Sequence, residues 1–343
     1  MKKRLQTIGA SLLIVLAAIV GMAAPAAASP SGGTCQDVAL SVALAAGQAA
    51  NKTVKGTLCT PEAWAEGAHQ IDLLVHGSTY DQHYWDWPIN PAIYSYVEDT
   101  LASGRATLAY DRLGSGQSTT PFSAQLTMAA EAFVMHQVVQ YLRSAPHSYA
   151  VVNAVGHSFG SMVSIHEAAT YHDVDRLVLT GVLHTLGPVF VTNPSSFYPA
   201  MVDAQFTGLL DVGYLTTVPG SRGKIFYNNT ADPAVVAYDE AHKDKASAVQ
   251  FADGMATLQT PALLNISQGI TAPVLLVVGD QDKLFCGLLL TCTQPSILAY
   301  ETPYYSNAAS LDVSVVASTA HNVALHPTTP TSFATIDQWI LTH

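Results

Sequence analysis

Ser158 stands in Val155-Gly156-His157-Ser158-Phe159-Gly160, directly after the apolar stretch from Tyr149 to Val155. Beyond Gly160 the chain continues as Ser161-Met162-Val163-Ser164-Ile165-His166-Glu167-Ala168-Ala169, which reads as a helix. A strand that enters a helix through a glycine-flanked serine must turn sharply, lifting the hydroxyl clear of the backbone. The flanking glycines give that turn its room. A serine hydroxyl at neutral pH is a weak nucleophile. It needs an imidazole to take its proton and a carboxylate to fix the imidazole and stabilise its charge. Candidates for both follow other apolar stretches: Asp280 and Asp282 after one, His321 after another, with His76-Gly77-Ser78-Thr79 after a third. The chain order serine, aspartate, histidine suits covalent attack on a carbonyl carbon, which is acyl transfer.

The elements that must position these residues can be read from the spacing of apolar side chains. Asp37 to Ala45 and Lys52 to Cys59 read as two strands, and Ile71 to Val75 and Arg105 to Tyr110 as two more. Between the latter pair, Ile93 to Ser103 is expected to be helical. Ser123 to Ser144 carries Leu126, Ala130, Phe133, Val134, Val138 and Tyr141 at helical spacing, which predicts a long amphipathic helix. Arg176 to Leu183, Pro273 to Gly279 and Leu311 to Ala317 complete the strands. A last helix is expected from about Thr331 to Leu341, with Pro330 suited to its first turn. Strands that are nearly all apolar and alternate with helices predict an α/β fold with a doubly wound, mostly parallel sheet covered on both faces. Open sheets of this kind bind ligands at the carboxyl ends of their strands, where the candidate residues fall.

The termini and composition narrow the partners. Lys2, Lys3 and Arg4 precede the apolar run Ile8 to Val20, and Ala26-Ala27-Ala28 precedes Ser29. This is the layout of a secretory signal peptide over residues 1–28, too short for a comfortable membrane span. Its removal takes the net charge from -11 to about -14 and leaves about 315 residues. An acidic exported chain is not expected to bind nucleic acid or an anionic membrane surface. It is expected to be free of a membrane anchor once cleaved. The four cysteines, Cys35, Cys59, Cys286 and Cys292, favour disulfides in that setting, with local pairing the simplest of three connectivities. No His, Asp or Glu spacing matches a metal site, so the expected partner is a small-molecule substrate with no cofactor and no metal. Residues 29–185 and 271–343 are expected to form the core, and residues 186–270, which break the alternating rhythm, an inserted and mainly helical cap.

Over almost the whole mature length these motifs resemble the α/β-hydrolase superfamily, and the stretch Val75 to Asp86 resembles a group of secreted microbial hydrolases. The resemblance implies Ser158 as nucleophile and His321 in Ala320-His321-Asn322 as its base, ahead of His326. It implies Asp282 rather than Asp280 as the acid, because the family's aspartate falls three residues past the strand-end glycine. The backbone N–H groups of Phe159 and Ser78 would form the oxyanion hole, and His76 would orient the loop that carries Ser78. Of the aromatic cluster Tyr80, His83, Tyr84, Trp85 and Trp87, most are expected to pack and Tyr80 to face the pocket. His157 is a candidate either to meet substrate or to support the turn. The implied activity is hydrolysis of esters or lactones with apolar acyl groups. Peptidase or cofactor-free haloperoxidase chemistry on the same triad, or a binding protein that has lost turnover, are the alternatives. A peptidase would want cap acids such as Asp203, Asp211, Asp232, Asp239 or Glu240 to grip a free amine.

Overall fold

The computed structural model describes residues 32–65, 69–192 and 196–343. The signal peptide expected over residues 1–28 lies outside them. Eleven strands form among the described residues: β1 (Gly33–Val42), β2 (Lys52–Pro61), β3 (Gln70–Val75), β4 (Ala106–Asp111), β5 (Val151–His157), β6 (Arg176–Thr180), β7 (Phe197–Pro199), β8 (Tyr214–Thr217), β9 (Ala246–Ser247), β10 (Val274–Gly279) and β11 (Leu311–Val316). Eight of them make one sheet in the order β1-β2-β4-β3-β5-β6-β10-β11. The hairpin β1–β2 is antiparallel and joins β4 antiparallel, while every pair from β4 to β11 is parallel. β3, β4, β5 and β10 are buried along nearly their whole length, as the apolar runs predicted.

The elements around the sheet follow the same logic, with local differences. The segment expected as one helix from Ile93 is two: α1 (Pro91–Tyr94) and α2 (Tyr96–Ala102). Ser95 between them is extended, and its hydroxyl accepts from the Glu98 N–H at 2.9 Å, so it caps a new helix. The long helix α3 (Met128–Arg143) begins at an N-cap on Thr127, later than Ser123. Ser123 is drawn off instead by Asp211, which accepts from its N–H at 2.6 Å and its hydroxyl at 2.8 Å. β6 ends at Thr180, short of Leu183, because Gly181 takes a φ of +59°.

α4 (Phe159–Tyr171) leaves β5 through Ser158 and crosses close under β3. A Cβ on Gly160 would lie 2.1 Å from the Val75 carbonyl oxygen, and one on Gly156 would lie 2.6 Å from Ser161 Cα. Both positions therefore need glycine for contact distance alone.

Between β6 and β10 the chain builds a separate layer from α5 (Pro188–Thr192), α6 (Arg222–Ile225), α7 (Pro233–Ala241), α8 (Ala248–Gln259) and the small antiparallel sheet β7-β8-β9. The expectation of a mainly helical segment missed that sheet, whose strands are only two to four residues long. The layer is pinned to the core by polar contacts. Ser247 Oγ donates to the Ser123 carbonyl at 2.8 Å, Tyr214 Oη to the Pro121 carbonyl at 2.7 Å, and Asp253 accepts from the Met128 N–H at 3.0 Å. α9 (Gln294–Glu301) and α10 (Thr329–Thr342) complete the outer faces, α10 with Pro330 in its first turn. No helix among the described residues is long and apolar enough to cross a membrane.

The α4–β3 crossing is directly testable. Gly160→Ala is expected to lose at least roughly 1–3 kcal/mol through overpacking, read as a lowered midpoint in urea. Gly223→Ala, where the added Cβ meets only Val236 Cγ1 at 3.2 Å, should stay near wild type. Equal midpoints for wild type and Gly160→Ala would show that the crossing tolerates a side chain.

Candidate active site

The parallel register aligns the strand ends. Val75 pairs with Gly156, His157 with Thr180, and Gly279 with Val316. The loops that follow therefore bring Ser78, Ser158, Asp282 and His321 to one edge of the sheet. Ser158 itself sits at φ 53°, ψ −116°, a strained conformation for a residue with a side chain. It is held there by its own N–H, which donates to the Thr180 carbonyl at 2.8 Å, and by its carbonyl, which accepts from the Ser161 N–H at 3.0 Å.

His321 Nδ1 meets Asp282 Oδ2 at 2.9 Å, with both side chains buried. Asp282 Oδ1 in turn accepts from the Leu284 N–H at 2.9 Å, and the Asp282 carbonyl accepts from the Cys286 N–H at 2.8 Å. A carboxylate so held keeps the proton of the imidazole on Nδ1. Nε2 is left as the basic nitrogen, with no hydrogen-bond partner among the described residues. Asp280 is exposed and accepts from the Thr319 N–H at 3.2 Å, away from His321. His326 bonds the Asn322 carbonyl and the Ala320 N–H, a packed loop residue. Both disulfides are formed, Cys35–Cys59 across the β1–β2 register and Cys286–Cys292 in the loop after Asp282.

Ser158, Phe159, Ser78, Tyr80 and His321 line one small cavity of about 40 Å³. The rest of its wall is hydrocarbon and aromatic: Met162, Leu284 and Phe285 from the core, and Phe197, Phe226, Phe251 and Met255 from the layer above. Phe226 and Phe285 flank the His321 ring at 5.6 and 5.7 Å between centroids. The N–H groups of Ser78 and Phe159 donate to no acceptor among the described residues. Phe159 is the first residue of α4, where helix N–H groups are unpaired and the helix dipole favours negative charge.

The loop carrying Ser78 is braced from below. Arg112, fully buried, donates from its N–H to His76 Nε2 at 3.0 Å, and from Nε to the His76 carbonyl at 3.1 Å. His76 Nδ1 is then the protonated nitrogen, facing the Gly77 carbonyl at 2.9 Å. Burial, reinforced by the Arg112 charge, lowers the His76 pKa to about 3, so the ring is neutral. His157 does not reach the cavity. Its Nε2 meets Asn322 Oδ1 at 3.2 Å, its Nδ1 meets Thr180 Oγ1 at 3.1 Å, and Tyr84 stacks on it at 4.3 Å. Burial also holds its pKa well below the ordinary histidine value. His157, a candidate either to meet substrate or to support the turn, lies buried behind the cavity wall and bonded to Thr180 and Asn322. Tyr84, Trp85 and Trp87 are buried in packing, while His83 is exposed and pairs with Asp81.

A second brace comes from the layer above. Asn322 Nδ2 donates to Tyr80 Oη at 2.7 Å, and Tyr80 Oη donates to Asp239 Oδ2 at 3.0 Å. Arg222 donates to Asp239 Oδ1 at 2.7 Å and to Thr79 Oγ1 at 2.8 Å, its guanidinium 4.3 Å from the Tyr80 ring centre. Thr79, at φ 61°, is a β-branched residue in a conformation it rarely adopts. Arg222 and the Asp244 N–H, which donates to the Thr79 carbonyl at 2.8 Å, hold it there. Arg112, Asn322 and Arg222 were not singled out from sequence. Arg112 and Asn322 adjoin Asp111 and His321, which was the available signal; Arg222 had none. None of the five acidic residues considered for gripping an amine lines the cavity. Asp203 pairs with Lys243, Asp211 binds Ser123, Asp232 caps α7, Asp239 pairs with Arg222, and Glu240 accepts from Gly220 and Arg222 N–H groups.

With this geometry in place, the comparisons with known proteins agree on the class. The α/β hydrolase family matches residues 73–333, and the chain belongs to that family. Its fold is similar to that of a thermophilic esterase from Thermogutta terrifontis (TM-score 0.59, 15% identity, covering 90% of this chain and 98% of that one). It is also similar to a monoglyceride lipase variant from Saccharomyces cerevisiae (TM-score 0.59, 15% identity, 84% and 91% covered). A third similar structure is an enol-lactonase from Burkholderia xenovorans (TM-score 0.56, 17% identity, 84% and 97% covered). A comparison with curated protein sequences finds no match.

The upper brace makes a quantitative prediction. Arg222→Met leaves the Asp239 charge buried and unpaired, and is expected to cost about 3–5 kcal/mol in urea unfolding. The double variant Arg222→Met/Asp239→Leu should recover part of that loss, the signature of a coupled pair. Additive losses would mean that the two residues do not depend on each other.

Proposed function

We propose that the protein is a secreted serine hydrolase that cleaves small carboxylic esters or lactones with apolar acyl groups through an acyl-enzyme. The observation that carries this reading is the buried Asp282–His321 bond of 2.9 Å beside Ser158 on one apolar cavity wall. His321 Nε2 takes the Ser158 proton as Oγ attacks the carbonyl carbon. The developing oxyanion is received by the Ser78 and Phe159 N–H groups, a donor pair in which each member is typically worth about 3 kcal/mol. His321 then gives its proton to the leaving alcohol. Water, activated by the same nitrogen, attacks the acyl-enzyme and frees the acid and Ser158.

Asp282 orients the imidazole and stabilises its positive charge while the proton is on it. Hydrolysis of ester-type bonds is in keeping with the esterase, lipase and lactonase among the similar structures. Amine recognition by the acidic residues of the layer is not supported, since all five are engaged elsewhere. Export is supported by the signal-like residues 1–28 and by the two disulfides.

A cavity of about 40 Å³ walled by aromatic rings favours short acyl chains. With p-nitrophenyl esters, kcat/KM is expected to be highest for acetate to butyrate and to fall for longer chains. Asp282→Asn is expected to lower kcat by ~10⁴ with little change in KM. Unchanged turnover in that variant, or a preference for long acyl chains, would overturn the assignment.

A further inference from the structure

On the face of the sheet that α3 and α4 cover, three side chains meet that the ester chemistry does not use. His136 comes from α3, Glu167 from α4, and Asp173 from the loop between α4 and β6. One ligand atom from each lies within 4.8 Å of the others. Asp173 Oδ2 is 2.7 Å from His136 Nδ1 and 2.7 Å from Gln140 Nε2. Arg143 donates from Nη2 to the Asp173 carbonyl at 2.7 Å, which fixes the loop.

Glu167 is the unusual member. Its residue is 0% exposed, no N–H or hydroxyl donor among the described residues reaches its oxygens or Asp173 Oδ1, and its hydrogen-bonding neighbour is the Asp173 carboxyl itself. No Lys or Arg among the described residues pairs with Glu167. Buried carboxylate oxygens are ordinarily bonded or paired. Two carboxyls bonded to each other through buried oxygens therefore need a proton or a cation between them.

We infer that His136, Glu167 and Asp173 bind a divalent transition-metal cation, with zinc the natural occupant. One imidazole nitrogen and two carboxylates match zinc's ligand preferences, and two carboxylate charges balance the ion. The ligand atoms lie within 4.8 Å of one another, and zinc takes nitrogen and oxygen ligands at roughly 2.0–2.2 Å. The outer contacts are of the kind that orient metal ligands. Gln140 holds Asp173, and Tyr171 stacks on the His136 ring at 4.1 Å and 17°. Glu167 lies about 13 Å along α4 from Ser158 at the helical rise, so the ion ties α3, α4 and the following loop together without touching the acyl site. The rival arrangement is a single proton shared between the two carboxyls in place of the ion.

The test uses the full mature chain, stripped with a chelator and titrated with Zn²⁺ by calorimetry, with Co²⁺ as a spectroscopic probe. The expected result is one equivalent bound, visible Co²⁺ absorption of a nitrogen- and oxygen-ligated site, and a melting temperature raised by about 4 °C at a hundredfold excess over Kd. Ester turnover should not change. Glu167→Gln, which keeps the shape and supplies a donor, and His136→Ala on the half-exposed side, should each weaken binding by more than roughly tenfold. Chelator-treated Glu167→Gln should melt like chelator-treated wild type. Absence of binding, binding that survives both variants, or selective binding of Ca²⁺ would each overturn the assignment.

Discussion

The turn at Ser158 constrains everything around it. A serine at φ 53°, ψ −116° stores strain on the order of 1–3 kcal/mol, which the surrounding structure must offset. It does so by packing α4 hard against β3, with Gly156 and Gly160 leaving no room for a side chain. The same close approach puts the unpaired N–H of Phe159 beside the loop after β3. Strain at Ser158, the helix crossing and the corner formed by the unpaired N–H groups are one geometric solution.

A second strained residue, Thr79 at φ 61°, borders that corner, and its support comes from the segment between β6 and β10. Arg222 reaches down to Thr79 while its ion pair with Asp239 draws in Tyr80, which in turn fixes Asn322 beside His321. The overlying layer thus does more than close the cavity with Phe197, Phe226, Phe251 and Met255. It is wired to both the loop that carries Ser78 and the loop that carries His321. Hydrogen bonds linked this way in a dry interior reinforce one another, and leaving one partner unpaired is costly.

Much of the fold was legible because its signals are local. The apolar strands, the glycine-flanked serine and the strand-end His76, Asp282 and His321 each announce themselves within a few residues, and parallel register does the rest. What was not legible depends on partners far along the chain. Ser123 reads as helical until Asp211 takes its N–H and hydroxyl. Arg222 and Asp239 look like ordinary charged residues until burial pairs them. The strands β7 to β9 are too short for a period to show. His136, Glu167 and Asp173 are spaced by 31 and then 6 residues, with no motif, and only the packing of α3 on α4 unites them.

The central claim is that Ser158 is an activated nucleophile, driven by His321 and held by Asp282. The most direct measurement is intact-protein mass spectrometry with peptide mapping after reaction with a fluorophosphonate. A single adduct on Ser158, absent from Ser158→Ala and from His321→Ala, is the predicted result. A folded chain with both disulfides intact that takes no adduct, or takes one that persists in Ser158→Ala, would contradict it.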